Sequence, residues 1–323
     1  MPWAPVQSAR KGMATSHGSH VDGTHLPSKL MESIQLTLAL PSGRGENVTV
    51  PSTASVVDLK RAAQEVLGYQ FLKLITADGN VLRASSSLES VGLRDGDAVT
   101  VILQQPNIAA SLGAFALWCN GGDRVITWGQ DIYGGDVSEV QDHLQEVTGV
   151  VGRGYLGFAA TLADGRNITW PLTKRERPKI REMPPKVPEE LKEKLREGKD
   201  SVKYTGWAGA AILRDGTVAA WGGDHDGGNN RAVQDQLKEV DALYCTSSAF
   251  AAVLSNGRVV TWGNHLFGGD SGAVQDQLRD VRKIESTQRA FAAIRSDGGI
   301  VTWGQGEFGG DLSGGVREQF LHL

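Results

Sequence analysis

Five tryptophans, Trp128, Trp170, Trp221, Trp262 and Trp303, lie 42, 51, 41 and 41 residues apart, and the residues around them repeat with them. Upstream of each stands a small-apolar run: Ala114-Phe115-Ala116, Phe158-Ala159-Ala160, Gly209-Ala210-Ala211, Phe250-Ala251-Ala252 and Phe291-Ala292-Ala293. Between run and tryptophan sits a turn dipeptide, Asp164-Gly165, Asp215-Gly216, Asn256-Gly257 or Asp297-Gly298, with the looser Asn120-Gly121-Gly122 in the first copy. Such dipeptides supply the positive φ of a tight hairpin, so each copy reads as strand, turn and second strand. A unit of this size cannot bury both faces of its own small sheet. The period therefore dictates an array in which every unit is completed by its neighbours.

After the tryptophan come Gly134-Gly135-Asp136, Gly227-Gly228-Asn229, Gly268-Gly269-Asp270 and Gly309-Gly310-Asp311. Apolar residues then step at i, i+4, i+7, as in Val274, Leu278 and Val281, which predicts a short amphipathic helix. A further strand is expected to open each unit, at Ile108, Val151, Val202, Leu243 and Ile284. Five units follow, at 108–150, 151–201, 202–242, 243–283 and 284–323. Glycine fits the same scheme: 32 of the 41 lie from residue 108 onward, at turns and Gly-Gly corners. The five tryptophans are read as packing anchors of the repeat. Tyr133, Phe267 and Phe308, just before the Gly-Gly corners, either line one face as partner contacts or pack on the adjacent unit.

The motif Phe-Ala-Ala, Asp-Gly, Thr-Trp-Gly, Gly-Gly-Asp resembles the regulator of chromosome condensation repeat, whose copies form a β-propeller. With the five units counted above, the resemblance implies a mainly β, propeller-like repeat domain with short helices. The 41-residue period and the Val-Gln-Asp-Gln-Leu segment depart from that family, which uses longer units and usually seven blades. The second unit departs most. Pro171 follows its tryptophan, and a charged insert over 173–190 stands where the Gly-Gly corner belongs. From Thr173 to Tyr204 there are 11 Lys/Arg and 7 Asp/Glu, with a helix predicted from Glu189 to Glu197. Mixed signs without interleaved aromatics favour a solvated loop over a phosphate-binding one.

Residues 1–32 lack periodicity and read as a disordered tail. Residues 33–104 read as an α+β domain: a hairpin (33–40 and 47–50), a helix from the Ser55/Asp58 capping-box pair to Gly68, short strands at 71–75 and 81–82, and a closing strand at 98–103. This order resembles the ubiquitin-like β-grasp fold, carried by Leu59-Lys60, Leu74-Ile75 with the Gly79 turn, and Leu88-x-x-Val91-Gly92-Leu93-x-x-Gly96. A linker at 105–107 joins it to the repeats, so the module lacks the free Gly-Gly tail through which ubiquitin is conjugated. The resemblance implies an integral ubiquitin-like domain with Leu74, Ile75 and Ile102 near the family's hydrophobic patch. Alternation along the strands sends at least one of them into the core.

The formal charge of -4 gives no field to hold a nucleic acid, no apolar run reaches the 18 or so residues of a membrane span, and Cys119 and Cys245 lie near no histidine motif. Asp224-His225-Asp226-Gly227 with Asn229 has a calcium-loop flavour but lacks the bidentate glutamate. No metal, cofactor or catalytic residue is expected. The expected function is a non-enzymatic adaptor linking a client to ubiquitin-receptor or proteasome proteins, in the cytoplasm or nucleus. Such repeats also occur in large ligases with a HECT domain, which is absent here. The alternative implied by the propeller family is guanine-nucleotide exchange or a chromatin-associated role.

Overall fold

The computed structural model describes residues 32–171, 185–198, 201–312 and 315–323. The predicted tail and most of the 173–190 insert lie outside the described residues. In the first domain, strands β1 (Ser33–Ala39) and β2 (Gly45–Pro51) form an antiparallel hairpin. Strand β4 (Ala98–Leu103) runs parallel to β1, and β3 (Leu72–Thr76) pairs antiparallel with β4, giving the order β2-β1-β4-β3. Helix α1 (Val56–Leu67) crosses one face. It starts at the expected capping box, where Ser55 and Asp58 satisfy each other's backbone N–H, and stops at Gly68, whose φ of +75° a side chain disfavours. Leu36, Leu38, Val48, Leu59, Leu74 and Val99 make the core between helix and sheet. Val81 contributes a single bridge to Ile75 rather than a strand.

The rest is a set of five three-stranded antiparallel sheets. Unit 1 holds β5 (Pro106–Ala110), β6 (Ala114–Cys119) and β7 (Val125–Gly129); unit 2 holds β8 (Val147–Gly152), β9 (Phe158–Leu162) and β10 (Asn167–Trp170). Unit 3 holds β11 (Val202–Tyr204), β12 (Ala208–Ile212) and β13 (Val218–Gly222); unit 4 holds β14 (Val240–Cys245), β15 (Ala249–Leu254) and β16 (Val259–Gly263). Unit 5 holds β17 (Val281–Ser286), β18 (Ala290–Arg295) and β19 (Ile300–Gly304). Gly165, Gly216, Gly257 and Gly298 turn the hairpins with positive φ, as their dipeptides require.

Three local expectations are corrected. The 105–107 segment is not a linker, because Pro106 and Asn107 pair with Cys119 and Trp118 inside the first repeat sheet. In units 1, 3 and 4 the predicted amphipathic helices are 3-10 turns, such as Gly272–Gln277, and the third apolar position begins the next strand, so Val281 opens β17 and Val240 opens β14; in unit 5 a short α-helix does form, at Val316–Gln319. The i, i+4, i+7 pattern arose because turn and strand bury the same side. The helix at Glu189–Glu197 is one turn, Glu189–Lys192, and Leu195 instead bridges Leu213.

One device recurs at the junctions. Trp128, Trp170, Trp262 and Trp303 are buried and stack on Phe115, Phe158, Phe250 and Phe291, with ring centroids 5.4, 5.3, 5.2 and 5.1 Å apart. Each indole Nε1–H donates to a glycine carbonyl of the adjoining unit: Gly309 at 3.0 Å, Gly134 at 3.2 Å, Gly227 at 2.9 Å and Gly268 at 3.0 Å. These glycines hold φ between +89° and +95°, and a Cβ on Gly227 would come within 2.6 Å of Phe250 Cδ2, so only glycine fits the corner. The last unit is thereby joined to the first through Trp128 and Gly309. Apolar cores fill the same junctions, 5/1, 1/2, 3/4 and 4/5.

The junction between units 2 and 3 differs. Gly209 stands where the others have phenylalanine, and the Trp221 ring covers it so closely that a Cβ there would run into the indole. Trp221 is half-buried, edge-on to Tyr204, and its Nε1–H finds no acceptor among the described residues. It is not the buried anchor expected. Across the gap, Val151 holds the position that Tyr244 holds in unit 4: both pair with the first alanine after the phenylalanine position. Tyr244 packs into the core shared with the next unit, whereas Val151 is 60% exposed. Thr161 and Asn167 are likewise exposed where Val253 and Val259 are buried. Polar residues at these sites remove the transfer free energy that fills the other junctions.

Replacing Trp262 by Phe deletes a donor whose glycine partner stays buried, and opens a void. Urea unfolding should show a loss of about 2–3 kcal/mol. Trp221→Phe removes an unpartnered N–H and should cost less than about 1 kcal/mol. Equal losses would contradict the distinction between the junctions.

Candidate functional site

The first domain uses its two faces differently. Helix α1 packs toward the end of the chain. Lys60 is buried and its Nζ donates to the Leu323 carbonyl oxygen at 2.7 Å, Arg61 pairs with Glu318 at 3.1 Å, and Phe71 meets Phe320 at 5.7 Å between ring centroids. Phe71 belongs to the same core as Ile108, Phe115 and Ala292 of the repeats. Arg282 adds donors to Gln105 and to the Pro106 carbonyl. Helix side and repeats are thus one packed body.

The opposite face of the sheet is open. Of the three predicted patch residues, Leu74 is corrected: it lies fully in the core, opposite Val101, because alternation sends it inward. Ile75 is half-buried and Ile102 is 39% exposed, and they lie diagonally across the β3–β4 ladder, where Lys73 pairs with Ile102 and Ile75 with Thr100. Leu103 ends the same strand but pairs with the core residue Leu72, so it lies on the helix side. Ile75 and Ile102 make a modest apolar pair on a polar sheet face.

The aromatic trio before the Gly-Gly corners does not form an open face. Phe308 is buried in the core of the 5/1 junction, and Phe267 and Tyr133 are half-buried against the cores of theirs. The Arg289 guanidinium lies 5.0 Å from the Phe267 ring centroid and 4.8 Å from that of Phe308. Backbone geometry explains why these side chains turn inward. Ser111, Thr205, Thr246 and Thr287 each donate a hydroxyl to the carbonyl of Tyr133, Asp226, Phe267 or Phe308, pinning the turn down. The same hydroxyls accept from the N–H of Ala114, Ala208, Ala249 and Ala290. This fixed Ser/Thr position, three before the small-apolar strand, is a repeat signal that the tryptophan spacing overshadowed. Unit 2 has Arg153 there, without a hydroxyl.

All five units contribute to one shallow cavity of about 420 Å³, lined among others by Leu112, Gly154, Gly206, Ser247 and Gln288. Main-chain bonds run around it: Gly206 N–H to the Ser247 carbonyl, Ser247 to Gln288, Gln288 to Leu112 and Leu112 to Gly154. The series joins units 3, 4, 5, 1 and 2 in that order.

Reactive groups are muted. Burial pushes the Cys119 thiol up to about 12 and the Cys245 thiol to about 11, so neither supplies a thiolate at neutral pH. The Asp224–Asp226 segment is a 3-10 turn like its sister units, and no group of three or more metal-binding side chains occurs among the described residues. No helix among those residues is long and apolar enough to cross a membrane.

No family model matches the sequence, and no curated protein matches it. Among solved structures, the ubiquitin-like domain of Plasmodium falciparum Dsk2 is 22% identical, with 22% of this chain and 96% of that one covered and a TM-score of 0.21. The solution structure of a ubiquitin-like domain from Arabidopsis thaliana is 23% identical over 27% of this chain and 92% of that one, with a TM-score of 0.22.

Burial lowers the Lys60 pKa from its ordinary value to about 8. Between about pH 8 and the unfolded pKa of roughly 10.4 the unfolded chain binds a proton that the folded chain does not, so stability rises with pH across that window and the gain is absent below it. Lys60→Met should flatten this rise in urea midpoints measured from pH 7 to 10. An unchanged slope would show that Lys60 is not held in an apolar contact.

Proposed function

We propose that this chain is a non-catalytic protein–protein scaffold, in which a ubiquitin-like first domain engages a ubiquitin-receptor or proteasome component and the repeats recruit a client. The observation that carries the reading is the division of the first domain's surfaces. Its helix side is consumed by the repeats through Lys60, Arg61 and Phe71, while the outer sheet face with Ile75 and Ile102 stays open. A module used only to extend the repeat core has no need of an apolar pair on its outward face. Because β4 leads almost directly into β5, anything held on that face keeps a fixed position relative to the repeats. We read the repeats as a five-unit, propeller-like ring. The indole bond from Trp128 to Gly309 and the shallow cavity shared by all five units support that geometry. Its rigidity suits recognition of a protein surface, and the reading places the work in the cytoplasm or nucleus.

Calorimetric titration of the full chain with an isolated ubiquitin-receptor domain tests the proposal. Binding is expected, and Ile75→Arg with Ile102→Arg should weaken it at least tenfold, as loss of about 1.4 kcal/mol or more from a small apolar contact implies. The thermal midpoint should stay unchanged because both side chains face outward. Binding that is absent in the parent chain, or unaltered by the double substitution, would remove the link to ubiquitin machinery.

A further inference from the structure

Among the described residues, the junction between units 2 and 3 carries a recognition chemistry that the other junctions lack. Each of four units places one residue directly before its small-apolar strand: Gly113, Trp207, Ser248 and Arg289. Each also places one residue before its Gly-Gly corner: Tyr133, Asp226, Phe267 and Phe308. In unit 5 these positions form a closed stack, with the Arg289 guanidinium held between the rings of Phe267 and Phe308. Unit 3 inverts it. The position of the cation is taken by an aromatic ring, Trp207, and the flanking ring of its own unit is replaced by the carboxylate of Asp226. On the other side, the unit 2 sequence supplies no Gly-Gly corner. Trp207 is 62% exposed, a degree at odds with a residue retained for packing.

The Asp226 carboxylate lies beside the stem of the Trp207 side chain. A point one Cβ bond out from Gly223 lies 3.1 Å from Asp226 Oδ2 and 3.6 Å from Trp207 Cβ, so both flank the same few ångströms of surface. Asp224 is exposed one turn position away. Among the described residues, neither Asp224 nor Asp226 forms an ion pair. An open indole beside unpaired carboxylates is complementary to a side chain that is both cationic and planar: the guanidinium stacks on the ring and donates to the carboxylate. The molecule already uses the stacking half of that chemistry at Arg289.

We propose that Trp207 and Asp226, with Asp224 at the rim, form a docking point for an arginine side chain carried by a partner polypeptide. The proposal stands whatever the first domain binds, since Trp207 and Ile102 belong to separate domains.

A phage-displayed library of random 12-residue peptides, selected on the immobilised full chain, tests it. Recovered peptides should be enriched in arginine, and fluorescence anisotropy with a recovered peptide should show about tenfold weaker binding to Trp207→Ala and several-fold weaker binding to Asp226→Asn. Replacing the peptide's arginine by citrulline, which keeps the plane and removes the charge, should cost as much as Trp207→Ala. Leu266→Ala, at another exposed turn, should change nothing. Trp207 is exposed, so the variant chains should unfold at the parent's midpoint. Failure to recover peptides, recovery without basic residues, or binding that survives both substitutions would overturn the proposal. Tighter peptide binding after Lys174, Arg175, Arg177, Lys179 and Arg181 are changed to Gln would assign the site to this chain's own basic run, and would also overturn it.

Discussion

The structure of the repeats depends on one hydrogen bond, made four times: a buried indole N–H donating to the carbonyl of a glycine held at left-handed φ in the adjoining unit. Each bond demands three things at once. The tryptophan must lie flat on its own phenylalanine, the corner must lack a side chain, and the unit must be close enough for main chain to meet ring. None of these is available to a single three-stranded sheet, which has two faces to cover and too little apolar surface to cover them. The bond therefore sets spacing as well as attraction, and the apolar cores at the same four junctions follow its geometry.

Where the bond is missing, everything around it changes in step. Loss of the Gly-Gly corner after Trp170 coincides with loss of the phenylalanine opposite Trp221, with exposed Thr161 and Asn167 on one wall, and with exposed Tyr204 and Trp207 on the other. The inner series of main-chain bonds also runs from unit 3 around to unit 2 without joining those two directly among the described residues. Two consequences matter for function. The repeats are held by their other junctions, so this one is free to vary in chemistry, and its walls offer aromatic and acidic groups that a packed junction would consume. The first domain, meanwhile, is fastened near the 5/1 junction by Phe71 and Lys60, away from that gap.

Much of this was legible in the residues. Tryptophan spacing revealed the five units, the Asp-Gly and Asn-Gly dipeptides located the hairpins, and Ser55 with Asp58 marked the start of α1. The failures have physical causes. A 3-10 turn leading into a strand buries the same side as an amphipathic helix, so Val274, Leu278 and Val281 imitate helical periodicity. Pro106 looks like a linker residue but tolerates the edge of a sheet, where its missing N–H is not needed. Leu74 and Ile75 are indistinguishable by composition, and only the register of β3 against β4 decides which faces the core. Trp221 was hardest to read, because exposure at a repeat position is a property of the neighbouring unit rather than of the residue's own surroundings.

Hydrogen exchange at the tryptophan indoles, followed by nitrogen-15 NMR on the full chain, tests the central claim most directly. The indole N–H groups of Trp128, Trp170, Trp262 and Trp303 should exchange slowly and together, since all four are buried and bonded across junctions. Trp207 and Trp221 should both exchange faster than those four, Trp207 the faster of the two. Protection of Trp221 equal to that of Trp262 would mean that units 2 and 3 are joined like the others. Exchange of Trp128 as fast as that of Trp207 would mean that the last unit does not hold the first.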